Sequence, residues 1–319
     1  MSHGDMISGL RLSTDVSTES SPVEASPLDG YEDAPVYVFA GIPDLRSRVK
    51  LQLDTLRDGR TTEQYLIFLR VTKDHLAQID HQRAQIGKDT RITYYTDTHE
   101  LIIKVIPLQL HETAHLSLGE EVKDKLRGMQ LPTRSLVSLG AGRCRAPNSS
   151  KEGDSSYRPQ WCRSGDDWPT IVIEAGLSES VRRLRADARW WLTHSGDQVN
   201  IIILIKIVRE RKSLQIEQWC MSPPTGLRPI TRANANANPN AIANATRLIP
   251  TKRQELTVIH DPPIPPLPGT IPTYTVTGAP LILDFDKLLL RAPVPPEGNV
   301  IFTAADLQGW AQYLWSQFP

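Results

Sequence analysis

WPTIVIEAGLSESVRRLRADARWWLTHSGDQVNIIILIKI, residues 168–207, reads as strand, turn, helix, turn, strand. Thr170 to Ala175 is β-branched and apolar except for one carboxylate, Glu174, and Gly176 follows to break the extended run. Ser178 or Ser180 caps the helix that follows, with Glu179 in a first turn whose dipole favours negative charge. Val181, Leu184, Ala188, Trp191 and Leu192 recur at 3.6 spacing, the stripe of a helix laid on a sheet. At about 100° per residue, Arg185 and Arg189 border that stripe rather than oppose it. After Ser195-Gly196-Asp197 the run Val199 to Val208 is almost wholly aliphatic, as in a strand covered on both faces. Together these pieces predict a βαβ-like unit.

Outward from this unit, Arg91 to Thr96 and Glu100 to Ile106 are β-rich runs about a polar Asp97-Thr98-His99 turn, the pattern of a hairpin. Pro107 closes the second run, and His111 to Met129 carries Ala114, Leu118, Val122 and Leu126 on one helical face. Leu136 to Leu139 is a further strand, Gly140 to Lys151 a polar loop, and Gly153 to Pro159 a short segment able to pair beside Thr170 to Ala175. Before the hairpin, Val36 to Phe39 predicts a short strand and Asp44 to Leu56 a helix capped by Asp44, with Thr62 to Arg70 and Lys73 to Gln85 also helical. Leu214 to Trp219 and Glu255 to Ile259 alternate like strands, Leu281 to Leu290 adds core, and Thr303 caps a last helix facing inward through Leu307, Trp310 and Leu314.

These readings divide the chain into a Ser/Thr/Asp/Glu/Pro-rich, disordered tail (1–30), a helical extension (31–90) and a core (91–220). A low-complexity Asn/Ala insertion (221–254) and closing strands and helix (255–319) complete the same domain. Pro262 to Pro268 is an extended spacer.

The 319 residues are 39% hydrophobic, enough to bury a sizeable core. Lys plus Arg and Asp plus Glu number 36 each, so no overall basic charge advertises a nucleic-acid or membrane partner. Basic residues do cluster locally, at Arg182, Arg183, Arg185 and Arg189 and again at Arg209, Arg211 and Lys212. The three cysteines lack CxxC spacing, which argues against a disulfide framework or zinc ribbon and for a reducing compartment. With neither a signal peptide nor an apolar run long enough to span a bilayer, the expectation is an intracellular protein, cytoplasmic or nuclear.

Chemistry is expected where Asp154 and Glu174 converge. An isolated carboxylate inside an aliphatic strand is costly unless paired, hydrogen-bonded or metal-bound, so Glu174 needs a partner, either a divalent cation or Arg189. A solvated strand end for Glu174 and a Gly-Asp turn for Asp154 are the plain alternatives. His111-Glu112-Thr113-Ala114-His115 matches HExxH, the motif of zinc proteases, without the third ligand that should follow it.

The order GDSSYRP, WPTIVIEAGLSES, basic helix, aliphatic strand resembles the PD-(D/E)XK nuclease superfamily, and within it the Uma-type restriction-endonuclease-like proteins and their fungal relatives. Upstream, THELIIKVIPLQLHETAH has that type's Glu-Leu strand, proline and His-led helix at Glu100, Pro107 and His111. The resemblance covers roughly 91–207. It implies an α/β (α+β) fold, a restriction-endonuclease-like mixed sheet flanked by helices, acting on nucleic acid with Mg²⁺ or Mn²⁺. It makes Asp154 and Glu174 the metal ligands, with Glu112, His111 and Arg185 auxiliary. The lysine usual two residues after the glutamate is replaced by Gly176. In the Uma-type pattern that lysine moves to the next helix, where Arg189 stands; arginine stabilises charge but cannot serve as a base. Lys206 is a weaker substitute. Three functions follow: a Mg²⁺-dependent nuclease or its inactive descendant, a non-enzymatic module binding nucleic acid or protein, and an HExxH protease.

Overall fold

The computed structural model describes residues 26–87, 89–107, 109–165, 167–177, 181–223, 248–261 and 273–318. The Ser178/Ser180 cap, nearly all of the N-terminal tail, the Asn/Ala stretch and the Pro262–Pro268 spacer lie outside the described residues.

Two mixed sheets, each flanked by helices, make an α/β architecture. In chain order the first part runs β1 (Val36–Val38), α1 (Ile42–Arg57), β2 (Tyr65–Leu69), α2 (Lys73–His81), α3 (Arg83–Ile86), β3 (Thr90–Tyr95), β4 (Glu100–Val105) and α4 (Gln109–Gly128). Next come β5 (Leu136–Gly140), β6 (Arg143–Arg145), β7 (Ser149–Glu152), β8 (Ser155–Pro159), β9 (Ile171–Leu177), α5 (Val181–His194) and β10 (Ile201–Val208). The chain closes with β11 (Ser213–Ser222), β12 (Ile249–Asp261), β13 (Thr273–Thr277), β14 (Leu281–Leu283), α6 (Phe285–Leu289), β15 (Val300–Phe302) and α7 (Ala304–Ser316).

The second, seven-stranded sheet has the order β13-β12-β11-β10-β9-β8-β5 and contains the βαβ unit, with β9 parallel to β10 and α5 between them. One face, carrying Ile171, Ile173, Ile203 and Ile205, packs on α4 and α7 through Leu118, Leu126, Trp310 and Leu314. The other, carrying Val172, Ile202 and Leu204, packs on α5 through Leu184, Ala188 and Trp191. Cover on both faces explains the aliphatic runs of β9 and β10. Trp190 and Trp191 are both buried.

The first, six-stranded sheet, β1-β2-β4-β3-β7-β6, is built on the expected β3–β4 hairpin, with Tyr95 opposite Glu100 at its turn. Two of its members correct the sequence reading. Thr62 to Arg70 is not a helix but holds β2, in which Tyr65, Leu66, Ile67 and Phe68 are all buried. A strand covered on both sides has no alternation to betray it. Likewise Gly140 to Lys151 is not a loop, since β6 and β7 pair there as a hairpin. Residues 31–90 therefore supply two strands, β1 and β2, as well as helices.

Asp44 does not cap α1: Gly41 holds that position, and Asp44 lies in the first turn, bonded to Arg48. At the other end of the chain Thr303 and Asp306 form a reciprocal capping box for α7. No helix among the described residues is long and apolar enough to cross a membrane.

Candidate functional site

One face of the first sheet carries basic side chains against the end of β9. Arg91 on β3 lies opposite Lys104 on β4, and Lys151 comes from β7, opposite Thr93. Facing them are Asp154, just ahead of β8, Glu174 in β9 and Asp187 in α5, and all six residues are buried. Such a seam is tolerable only where every charge is matched.

Asp154 is the most heavily contacted. Its Oδ2 accepts from the Lys104 ammonium at 2.9 Å and from the Ala175 backbone N–H at 2.9 Å, with His111 Nε2 at 3.2 Å. Its Oδ1 lies 3.6 Å from Arg91 Nε and accepts no hydrogen bond from the described residues. Lys104 Nζ also donates to the Ala175 carbonyl at 2.6 Å, which takes a second bond from His111 Nε2 at 2.8 Å. Burial alone would raise the Asp154 carboxyl, but the His111 and Lys104 charges outweigh it and hold the group well below the ordinary range.

Continuing the antiparallel β8–β9 ladder one step beyond the Ser155–Ile173 pair sets Glu174 opposite Asp154. The strand's alternation turns it to the α5 face, where Trp191 Nε1 donates to Oε1 at 2.7 Å. Of the two partners expected for Glu174, a divalent cation or Arg189, the arginine is exposed and this indole makes the contact instead. Burial first, and then the Asp154 charge, push the Glu174 carboxyl up to about 8, so it is largely protonated at neutral pH. The two acids thus sense each other, although their hydrogen-bonding partners come from opposite layers. Beside them Lys151 pairs with Asp187 at 2.6 Å, and Tyr31 Oη donates to the same Asp187 oxygen at 3.1 Å.

The arginines of α5 do not supply the site. Arg189 is exposed on α5, away from the buried acids. Arg185 is directed to Glu217, with Nε–Oε2 at 3.0 Å. Arg183 is buried on Glu63 at 2.7 Å, and Arg182 reaches Asp29 and Glu32. The lysine that meets Asp154 is Lys104, missed in the sequence because it comes from the other sheet. Its one visible signal was its place as the cation within ELIIKV. Lys206, half-buried on β10, has Gly176 as its register partner on β9.

Glu112 and its flanking histidines are contiguous with this seam. Glu112 accepts from Arg91 Nη2 at 2.7 Å, and its side chain is 39% exposed, whereas His111 and His115 are buried. Both rings are turned toward the second sheet, His115 Nδ1 meeting Ser155 Oγ at 2.7 Å. Burial would raise Glu112, but the two histidines and Arg91 hold it well below the ordinary range.

No family model matches this chain, and neither does any curated protein. Among solved structures, the crystal structure of a putative nuclease belonging to DUF820 from Anabaena variabilis ATCC 29413 aligns over 46% of this chain and 84% of its own. The sequence identity is 16% and the TM-score 0.30.

Proposed function

We propose that the chain is a restriction-endonuclease-like phosphodiester hydrolase acting on nucleic acid, with Asp154 and Glu174 as its acidic pair and Lys104 in place of the motif lysine. One observation carries the reading: two buried acids, one just ahead of β8 and one in β9, share a seam with a lysine whose ammonium bridges Asp154 Oδ2 and the Ala175 carbonyl. An all-oxygen donor set suits a hard cation such as Mg²⁺ or Mn²⁺. Asp154 Oδ1, buried and accepting no hydrogen bond, and Glu174, which ionises readily only beside further positive charge, fit such an ion. When bound, it would lower the pKa of a water and stabilise charge on the scissile phosphate. Lys104 holds Asp154 ionised and ready to ligate, Trp191 fixes the Glu174 carboxyl, and Arg91 adds positive charge toward the half-exposed Glu112.

Supercoiled plasmid incubated with the full chain and Mg²⁺ or Mn²⁺ should be nicked. Nicking should drop at least a hundredfold in both Glu174→Gln and Lys104→Met while circular dichroism shows them folded. No nicking with either ion sinks the hydrolase reading.

A second reading, binding without cleavage, is favoured by the burial of both carboxylates and by the cations already on Asp154. It predicts salt-sensitive association with nucleic acid that survives Glu174→Gln, with no cleavage by the unmodified chain.

A further inference from the structure

The histidines that open α4 present an arrangement the acidic pair does not account for. His111 and His115 are both wholly buried, and each has one ring nitrogen committed to the second sheet. His111 Nε2 is bound by the Ala175 carbonyl at 2.8 Å with Asp154 beside it, and His115 Nδ1 by Ser155 Oγ at 2.7 Å. The remaining nitrogens, His111 Nδ1 and His115 Nε2, are buried with no hydrogen-bond partner among the described residues. Both are turned to the Glu112 carboxylate, at 3.7 and 3.5 Å respectively, and one ligand atom from each of the three residues lies within 4.8 Å of the others.

We propose that His111, Glu112 and His115 form a binding site for a zinc-class divalent ion. A buried imidazole nitrogen without a partner is costly, and two aimed at one carboxylate are best satisfied by a metal that takes both lone pairs. In the neutral ring, donation from His111 Nε2 to the Ala175 carbonyl leaves the lone pair on Nδ1, and in the His115 tautomer that donates from Nδ1 to Ser155 Oγ the lone pair is on Nε2. This is the outer-shell pattern that orients metal-bound histidines. Two nitrogens and one carboxylate select zinc or its first-row neighbours over Mg²⁺, so the site differs in metal class from the Asp154/Glu174 pair. The donors of a tetrahedral zinc lie about 3.4 Å apart given Zn–N bonds of about 2.0–2.1 Å, so these three have only to close in. Glu112, partly exposed, is the entry route and retains Oε2 for the ion while Arg91 holds Oε1. Zinc-protease chemistry is not implied, because there the glutamate is a base and a third ligand comes from elsewhere in the chain.

The full chain, stripped with chelator, would be titrated with Co²⁺ as a spectroscopic probe and then with Zn²⁺. The expected result is one equivalent of Co²⁺ bound, with visible d–d absorption that one equivalent of Zn²⁺ abolishes. His115→Gln and Glu112→Gln should each weaken binding at least tenfold, whereas Glu174→Gln should leave it unchanged. If buried His115→Gln fails to fold by circular dichroism, Glu112→Gln, at a half-exposed side chain, carries the test alone. Absence of stoichiometric uptake, or uptake unaffected by Glu112→Gln, overturns the proposal. Loss of uptake in Glu174→Gln also overturns it, by placing the ion at the acid pair. None of these readouts depends on nuclease activity.

Discussion

Burial acts alike on Asp154 and Glu174, yet they titrate in opposite directions because only Asp154 has a lysine and a histidine in direct contact. The Glu174 carboxyl is raised to about 8 in the folded chain, against about 4.3 when unfolded. Between those values the folded state binds the extra proton, so this group's contribution makes stability fall as pH rises through the window and level off above it. Glu174→Gln cannot ionise and keeps an oxygen to accept from Trp191. The variant should match the unmodified chain near pH 5, become progressively more stable than it up to about pH 8, and hold that advantage above. Urea midpoints measured for both from pH 5 to 9 in chelator check this. An advantage that does not change with pH would mean that Glu174 is not the titrating group. Its burial was legible because a lone carboxylate stands among β-branched neighbours. Its partner was not, because the indole of Trp191 and the guanidinium of Arg189 lie on the same helix, and only the helix's rotation decides which faces the strand.

At the scale of elements, the approach of α4 to the second sheet depends on one small residue. A Cβ at Gly119 would stand 1.8 Å from Tyr157 Oη and 2.5 Å from its Cζ, so the helix backbone and the Tyr157 ring cannot both stay where they are. Gly119 has ordinary helical geometry, hence the clash and not backbone strain sets the cost, and overpacking of this kind costs about 1–3 kcal/mol. Gly119→Ala should be destabilised by about that much in chemical denaturation, although alanine is the better helix former, and Tyr157→Phe in the same chain should restore part of the loss by removing the nearest atom. A neutral or stabilising Gly119→Ala would show that α4 is free to shift. The helix itself, the β3–β4 hairpin and the βαβ unit were legible in the sequence because each has one dominant period bounded by Pro, Gly or polar turns. β2 and the β6–β7 hairpin were not. The first is buried all round, and the second carries ion-paired residues, Arg143–Glu152 across the hairpin and Lys151 out to Asp187 on α5, which leave no apolar pattern.

Across the whole molecule, the seam between the sheets is ionic where each sheet's own layers are apolar. Lys104–Asp154, Lys151–Asp187 and Arg183–Glu63 each join the first-sheet region to the second-sheet region, and Gln64 links the Val105 carbonyl to the Leu177 N–H between them. No sequence periodicity reports such a seam, since every pair spans at least 36 positions. This is also why Lys104 could not be matched to Asp154 beforehand, since β4 and β8 belong to different sheets and no local pattern joins them. Removing one member of a buried pair strands the other, at about 3–5 kcal/mol, whereas replacing both with apolar groups is often nearly neutral. Asp187→Asn should therefore lose about that much stability, and Lys151→Met combined with Asp187→Leu should recover most of it. Because the pair is anchored on β7 opposite Thr93 of β3, the loss should be uneven in hydrogen exchange. Amides of β3, β4 and β7 should exchange at least tenfold faster in Asp187→Asn, while those of α7, packed on the far face of the second sheet, change little. Uniform acceleration through α7 would mean that the two sheets open as one unit and that the ionic seam is not where the molecule parts.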